Sequence, residues 1–217
     1  MKQSRAYKKF LRCHRRSIEM IRRHHTAFIA HHENKDGNIK WHEERERHDD
    51  LFRAGIVLCT AAMDAYFTDR FCEALIPYID LKGLNPSLEK TLKDSGFDTK
   101  TAVRMFNNKR PKRVLSNMVR KHRSKLPTQN FEVINKLYKG LGYEKTITHL
   151  AQEKSGRKRL LKSIEKLVDR RHKIVHAGDY NQNGKLNDIN YRLLYKKMLE
   201  VKKLVESVDA VLEENKI

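Results

Sequence analysis

The chain is short of the residues that punctuate β-rich folds: its 217 residues include only 9 glycines and 4 prolines. A sandwich of short strands needs turn residues at close, regular intervals, so their scarcity excludes that class and favours long helices. Cysteine is scarce as well. Cys13, Cys59 and Cys72 are an odd number without a CxxC pair, which excludes a disulfide framework and fits a reducing interior where they act as small hydrophobes. Acidic residues are the third deficit, 27 against 47 Lys+Arg. Hydrophobic runs are short: the uncharged stretch Ala54 to Met63 falls far below the ~20 residues a bilayer span requires, so no membrane partner is expected. Met1-Lys2-Gln3-Ser4-Arg5 carries charge with no apolar segment behind it, so no secretory leader is read and a cytoplasmic location is expected.

Several catalytic signatures are missing too. There is no GxxxxGK[ST] loop, no GxGxxG after a strand and no GxSxG, which argues against nucleotide hydrolysis and serine-ester chemistry. His42-Glu43 is followed by Glu46 where a zincin would need its second histidine. The pairs His24/His31 and His25/His32 lie two helical turns apart, too far to share one ion. No metal and no cofactor is expected.

What the chain does have is positive charge, a formal +20 with a pI near 9.9. That balance asks for a polyanion, most simply nucleic acid, with an anionic membrane surface as the rival. With 39% apolar and 34% charged residues, a single all-α domain over 1–217 is expected, its core wrapped in a charged surface. Three- and four-residue steps predict a first helix over about Ala6–His32, with Phe10, Cys13, Ser17, Met20, Ile21, His24, Phe28 and His31 on an apolar face with polar interruptions. Asn34 to Asn38 reads as a turn. A long second helix runs from Trp41 to about Leu75, solvated over Glu43–Arg47 and apolar nearly all round from Ile56 to Phe71, which makes it the central core helix. Pro77, Gly83 and Pro86 break its pattern.

From about 77 to 143 the signals weaken into short helices, read as a basic insertion. Between Thr99 and Phe131 there are ten Lys/Arg and no Asp or Glu, with Pro111 and Pro127 as punctuation. Lys109, Arg110, Lys112, Arg113, Arg120, Lys121 and Arg123 form the expected RNA backbone track, with Phe106, Phe131 and Tyr138 available for base stacking. A further helix spans Lys158–His176, with Leu160, Leu161, Ile164, Leu167, Val168 and Val175 on one face and Gly178 at its cap position. The last helix carries Tyr191, Leu194, Met198, Val201, Val205, Val208 and Leu212 as a stripe that is either core or a subunit seam, with core the stronger reading.

The chemistry concentrates at Arg171-His172-Lys173-Ile174-Val175-His176-Ala177-Gly178-Asp179. A permanently charged guanidinium can hold a phosphate while an imidazole moves protons, which suits phosphodiester cleavage without a metal. His176 sits in the last helical turn, where the dipole favours imidazolium. Arg171 continues the Ile164–Val168 stripe, so its side chain is aimed at the interior or an interface and needs a partner. Asp64, alone within Ala61-Ala62-Met63-Asp64-Ala65-Tyr66-Phe67, is the candidate. Arg171 and His176 stand roughly 140° apart on an ideal helix. Either the helix distorts near its end or two copies contribute to one cleft. A bland alternative is also open, in which the two residues only satisfy the helix terminus.

Arg171-His172-x3-His176 at the end of the penultimate long helix resembles the R-x(4–6)-H signature of the HEPN superfamily, His172 occupying the polar position after the arginine. Val57 to Tyr66 resembles the early helix of the RiboL-PSP-type group, with Asp64 matching the acid that faces the motif arginine. The resemblance covers the second helix and the last two helices. It implies a HEPN-like helical bundle, a homodimer with facing motifs, and metal-independent endoribonuclease activity of the toxin or antiviral-defence kind, with an antitoxin or defence-system partner. By that analogy His176 serves the 2′-hydroxyl attack or protonates the leaving group, Arg171 stabilises the phosphorane-like charge, and Asp64 orients Arg171. The products would carry 2′,3′-cyclic phosphate and 5′-hydroxyl ends. Some relatives bear a tyrosine two residues after the histidine that accepts a nucleotide from an antitoxin; Gly178 stands there. The competing class is a non-catalytic RNA-binding or scaffold module of the same fold, and DNA binding through a helix ranks last.

Overall fold

Helix-forming residues with few breakers give the expected result. A computed structural model describes residues 3–33, 41–123, 130–143 and 145–214, without the side chains of 32, 33 and 41–46. Among them it holds nine helices and no strand, apart from one isolated bridge between Tyr180 and Leu186. The chain is all-α. The helices are α1 (Arg5–Glu33), α2 (Trp41–Lys82), α3 (Pro86–Asp94), α4 (Thr99–Phe106), α5 (Pro111–Arg123), α6 (Phe131–Lys139), α7 (Ile147–Ser155), α8 (Leu160–Ala177) and α9 (Tyr191–Glu214). The expected turn at Asn34–Asn38, the His42 side chain and Pro127 lie outside the described residues. The chain divides into two compact units.

The first unit comprises Met1–Lys9, Met63–Lys158 and Leu204–Ile217. Tyr66, Phe67, Phe71 and Tyr138 fill its centre, their rings meeting edge to face, a geometry that aligns the positive edge of one ring with the negative face of another. Tyr138 keeps its hydroxyl satisfied by donating to the Phe67 carbonyl at 2.9 Å. Asp209 is buried but collects hydrogen bonds from Ser4 Oγ at 2.6 Å, Arg70 Nε at 3.1 Å and the Tyr66 hydroxyl at 3.2 Å. A buried carboxylate is tolerated only when it is paired in this way. Helices α3 to α6, with Asn85, Asp98 and Asn130 as side-chain N-caps, occupy the basic stretch.

The proline at position 77 does not end α2, which continues to Lys82. Proline costs a backbone hydrogen bond and crowds the preceding turn. Here Pro77 is exposed while Ala74, Leu75 and Tyr78 are buried around it, so side-chain burial offsets that cost. A window within Arg47–Lys82 is apolar enough by length and composition to cross a membrane, but 61% of it is buried inside the protein, as befits a core helix.

The second unit comprises Phe10–Ala62 and Arg159–Lys203. Its core includes Phe10, Ile21, Phe52, Ile56, Ile164, Leu167 and Met198. The α1 face differs from the sequence expectation at two positions: His31 is exposed, and Cys13 is exposed with His14 buried in its place. The face follows Phe10, His14, Ser17 and Ile21, and a buried imidazole is acceptable because His14 Nε2 donates to the Met198 carbonyl at 2.8 Å. Cys59 and Cys72 are buried as expected, and burial pushes the Cys59 thiol up to about 12, which leaves it inert as a nucleophile. Along α9, Leu194, Met198, Val201, Val205, Val208 and Leu212 are all buried, so this stripe is core rather than a seam.

Candidate active site

The last two turns of α8 carry the residues singled out from sequence, and the helix stays regular through Ala177 before Gly178 (φ 60°) caps it. A left-handed conformation is where glycine is favoured. Because α8 does not distort, the angle of roughly 140° between Arg171 and His176 stands. His176 and His172 are exposed, on one face, with ring centroids 6.2 Å apart. Arg171 is half-buried, and its Nε is shielded from solvent without a hydrogen-bond partner among the described residues. Val175 is 47% exposed rather than part of the buried face. The apolar stripe is buried as far as Val168, and Val175 beyond it is exposed. Asp64 is half-buried on α2 and belongs to the first unit.

What fixes the end of α8 is a residue to which sequence reasoning gave no role. Asp179 is fully buried at φ 64°, a left-handed conformation uncommon outside glycine. Its Oδ2 accepts from Arg53 Nε at 3.0 Å and from Arg170 Nη2 at 2.6 Å. Its backbone oxygen accepts from Asn187 Nδ2 at 2.7 Å, and its own N–H donates to the Lys173 carbonyl at 3.1 Å. Arg53 Nη2 and Arg170 Nη2 both reach the Asn187 carbonyl, at 2.8 and 2.9 Å. Two guanidiniums thus converge on one carboxylate and tie α2, α8 and the following loop together within the second unit. The available signal was Arg53 itself, a charge inside the apolar run Leu51-Phe52-Arg53-Ala54-Gly55-Ile56.

Beside this knot lies a pocket of about 580 Å³ whose wall includes His25, Phe28, His48, Phe52 and Tyr191. His25 stacks on Tyr191 at 3.9 Å and Phe28 on His48 at 4.0 Å, and His25 Nδ1 shares a hydrogen bond with His48 Nε2 at 3.3 Å. Among the described residues no group of three or more His, Cys, Asp or Glu is placed to hold a metal. Burial holds His24 below its usual value; His25 is lowered by burial, then by His24 and Arg192. A smaller cleft of about 200 Å³ on the same loop has Arg170 and Lys197 on its wall. Burial, followed by Lys166 and Arg170, lowers the Lys197 ammonium.

The two depressed imidazoles link stability to pH. The unfolded chain takes up protons near 6.5 while folded His24 and His25 resist, so their contribution to stability is level above about pH 7 and falls as the pH drops through 6.5. The urea midpoint should be lower at pH 5.5 than at pH 7.5, and His25→Gln should narrow that difference. Equal differences in the two proteins would remove His25 from this linkage.

In the basic stretch, Lys109, Arg110 and Arg113 are exposed, and among the described residues none of them sits in an ion pair. The other members of the expected track are more constrained. Lys112 is paired with Asp80 at 2.7 Å, Arg120 with Asp69 at 3.2 Å, and half-buried Arg123 donates to Thr91 Oγ1 at 3.4 Å. Lys121 is exposed. Of the stacking candidates, Phe106 is 87% exposed, whereas Phe131 and Tyr138 are buried in the first unit's core and cannot receive a base; the apolar face of α6 claimed them.

An all-helical chain whose penultimate long helix ends in R-x4-H fits the HEPN type. The family model for RiboL-PSP-HEPN matches residues 22–214, and the chain belongs to that family. Membership points to an RNase or nucleotide-related function. Comparisons with curated proteins and with solved structures returned no match.

Proposed function

We propose that this chain is a metal-independent endoribonuclease in which His176 handles protons and Arg171 holds phosphate charge. The observation that carries the reading is the locked end of α8: an exposed imidazole five residues from a half-buried guanidinium whose Nε lacks a hydrogen-bond partner among the described residues. Attack of a ribose 2′-oxygen on the adjacent phosphorus expels the 5′-oxygen, leaving a 2′,3′-cyclic phosphate. One histidine takes the 2′ proton and another returns one to the leaving oxygen, while Arg171 stabilises the added negative charge in the transition state. A regular helix that holds the two residues roughly 140° apart favours a homodimer in which each copy completes the other's cleft, and Val175, Tyr180 and Leu193, all exposed, supply apolar surface for it. His172 assists beside His176 in this reading. Lys109, Arg110 and Arg113 track the RNA backbone. The setting is a cytoplasmic toxin or defence function with a cognate inhibitor or defence component.

The same separation of roughly 140° on one helix also supports a second reading, a non-catalytic RNA-binding module. Single-stranded RNA incubated with the protein in EDTA separates them. Cleavage is the expected result, and intact RNA that is nonetheless bound in a salt-sensitive manner would favour the module.

A further inference from the structure

Helix α4 takes no part in the cleavage chemistry, and none of its residues is buried. It packs against α5, and Thr101, Ala102 and Met105 are its half-buried residues. Val103 and Phe106 stand three residues apart, so they share one side of the helix. Both are exposed, Phe106 at 87%. Positive charge surrounds them. Lys100 and Arg104 on α4 are exposed, and so are Lys109 and Arg110 in the following turn and Arg113 at the start of α5. Two nearby acids are already committed: Asp98 caps α4 by accepting the Thr101 amide at 2.7 Å, and Asp80 pairs with Lys112 at 2.7 Å. The second pair holds the last turn of α2, where Leu81 is exposed, beside the start of α5.

Any polyanion satisfies the cations of this patch, but Val103 and Leu81 are aliphatic and gain nothing from a hydrated one. Phosphates laid over an apolar layer match both halves. An amphipathic helix buries its apolar side at the boundary between headgroups and acyl chains, while Lys and Arg reach back to the phosphates. A cluster of about four to eight Lys/Arg on or beside such a helix suits anionic lipid. The eight residues of α4 make it about 12 Å long, enough to lie in a membrane surface and far too short to cross one. We propose that α4 seats the first unit on an anionic membrane surface, Val103 and Phe106 entering the headgroup boundary and the surrounding cations contacting lipid phosphates. Lys109, Arg110 and Arg113 serve RNA or lipid in turn, because both present phosphodiesters. The proposal goes beyond the cleavage reading and uses no residue of α8, so either can fail alone.

Flotation of the full chain with lipid vesicles tests it. Vesicles of equal parts phosphatidylcholine and phosphatidylglycerol should carry the protein at low salt, and vesicles of phosphatidylcholine alone should not. The probing variant is Val103→Ala/Phe106→Ala, which keeps every charge, removes only exposed side-chain atoms and introduces the best helix former. It should partition onto the charged vesicles about ten-fold or more weakly than wild type. Equal partition of the two proteins, or no binding of the wild type to the charged vesicles, would overturn the proposal. Weaker binding of a single-stranded decaribonucleotide by the variant, measured in the His176→Ala background, with vesicle binding intact would also overturn it and assign the patch to RNA.

Discussion

His176→Ala is expected to lower RNA cleavage by about 10²–10⁴-fold, the usual worth of a positioned general acid or base, while the fold is untouched. His176 is exposed on the last turn of α8, and its neighbouring ring is that of His172, 6.2 Å away and exposed itself. Removing a solvated side chain of this kind typically changes stability by less than about 0.5 kcal/mol. The two readouts therefore separate cleanly: cleavage should collapse and the thermal midpoint should hold. In a composite dimer site the histidine is lost twice, once from each copy, so residual activity should sit at the low end of that range. Cleavage at the wild-type rate would take His176 out of the chemistry.

Asp179→Ala should be the most destabilising single change in the second unit, costing about 3–5 kcal/mol. The carboxylate is fully buried, and Arg53 and Arg170 have side chains only 7% and 26% exposed. Truncation leaves the Arg53 guanidinium with exposed Asp50 and one carbonyl, and an uncompensated buried cation is the expensive outcome. It also forces alanine into a left-handed conformation, adding about 1–2 kcal/mol. Asp179→Gly separates the two causes, since glycine accepts φ 64° freely but still lacks the carboxylate. Urea unfolding should show Asp179→Gly recovering only the backbone portion. If glycine restored full stability, the ion cluster would contribute nothing. Because the cluster anchors the loop that follows α8, cleavage should fall with stability in Asp179→Ala, whereas His176→Ala uncouples the two.

Much of this was legible because it is local. The α8 stripe, its glycine cap and the α9 heptad pattern are written in neighbouring residues, and helices with those patterns formed where expected. Pro77 was misread because its cost is local but the compensation, burial of Ala74, Leu75 and Tyr78, is not. The exchange of Cys13 for His14 on the buried face turned on a single long-range hydrogen bond to the Met198 carbonyl. Asp179 was the largest omission. Nothing in Gly178-Asp179-Tyr180 announces a buried left-handed acid; it becomes evident only when Arg53, 126 positions earlier, arrives beside it. Sequence logic named Asp64, the lone acid in an apolar helix, for Arg171, and passed over the neighbouring Arg170, which pairs with Asp179 within the second unit. Phe131 and Tyr138 show the converse error, since aromatic residues beside basic ones read as stacking platforms until the core is seen to hold them.

End-group analysis of RNA incubated with the wild-type protein in EDTA tests the central claim most directly. The account predicts fragments ending in 2′,3′-cyclic phosphate and beginning with 5′-hydroxyl, formed by wild-type but not by His176→Ala protein. Fragments with 5′-phosphate and 3′-hydroxyl ends, or no fragments at all, would contradict it.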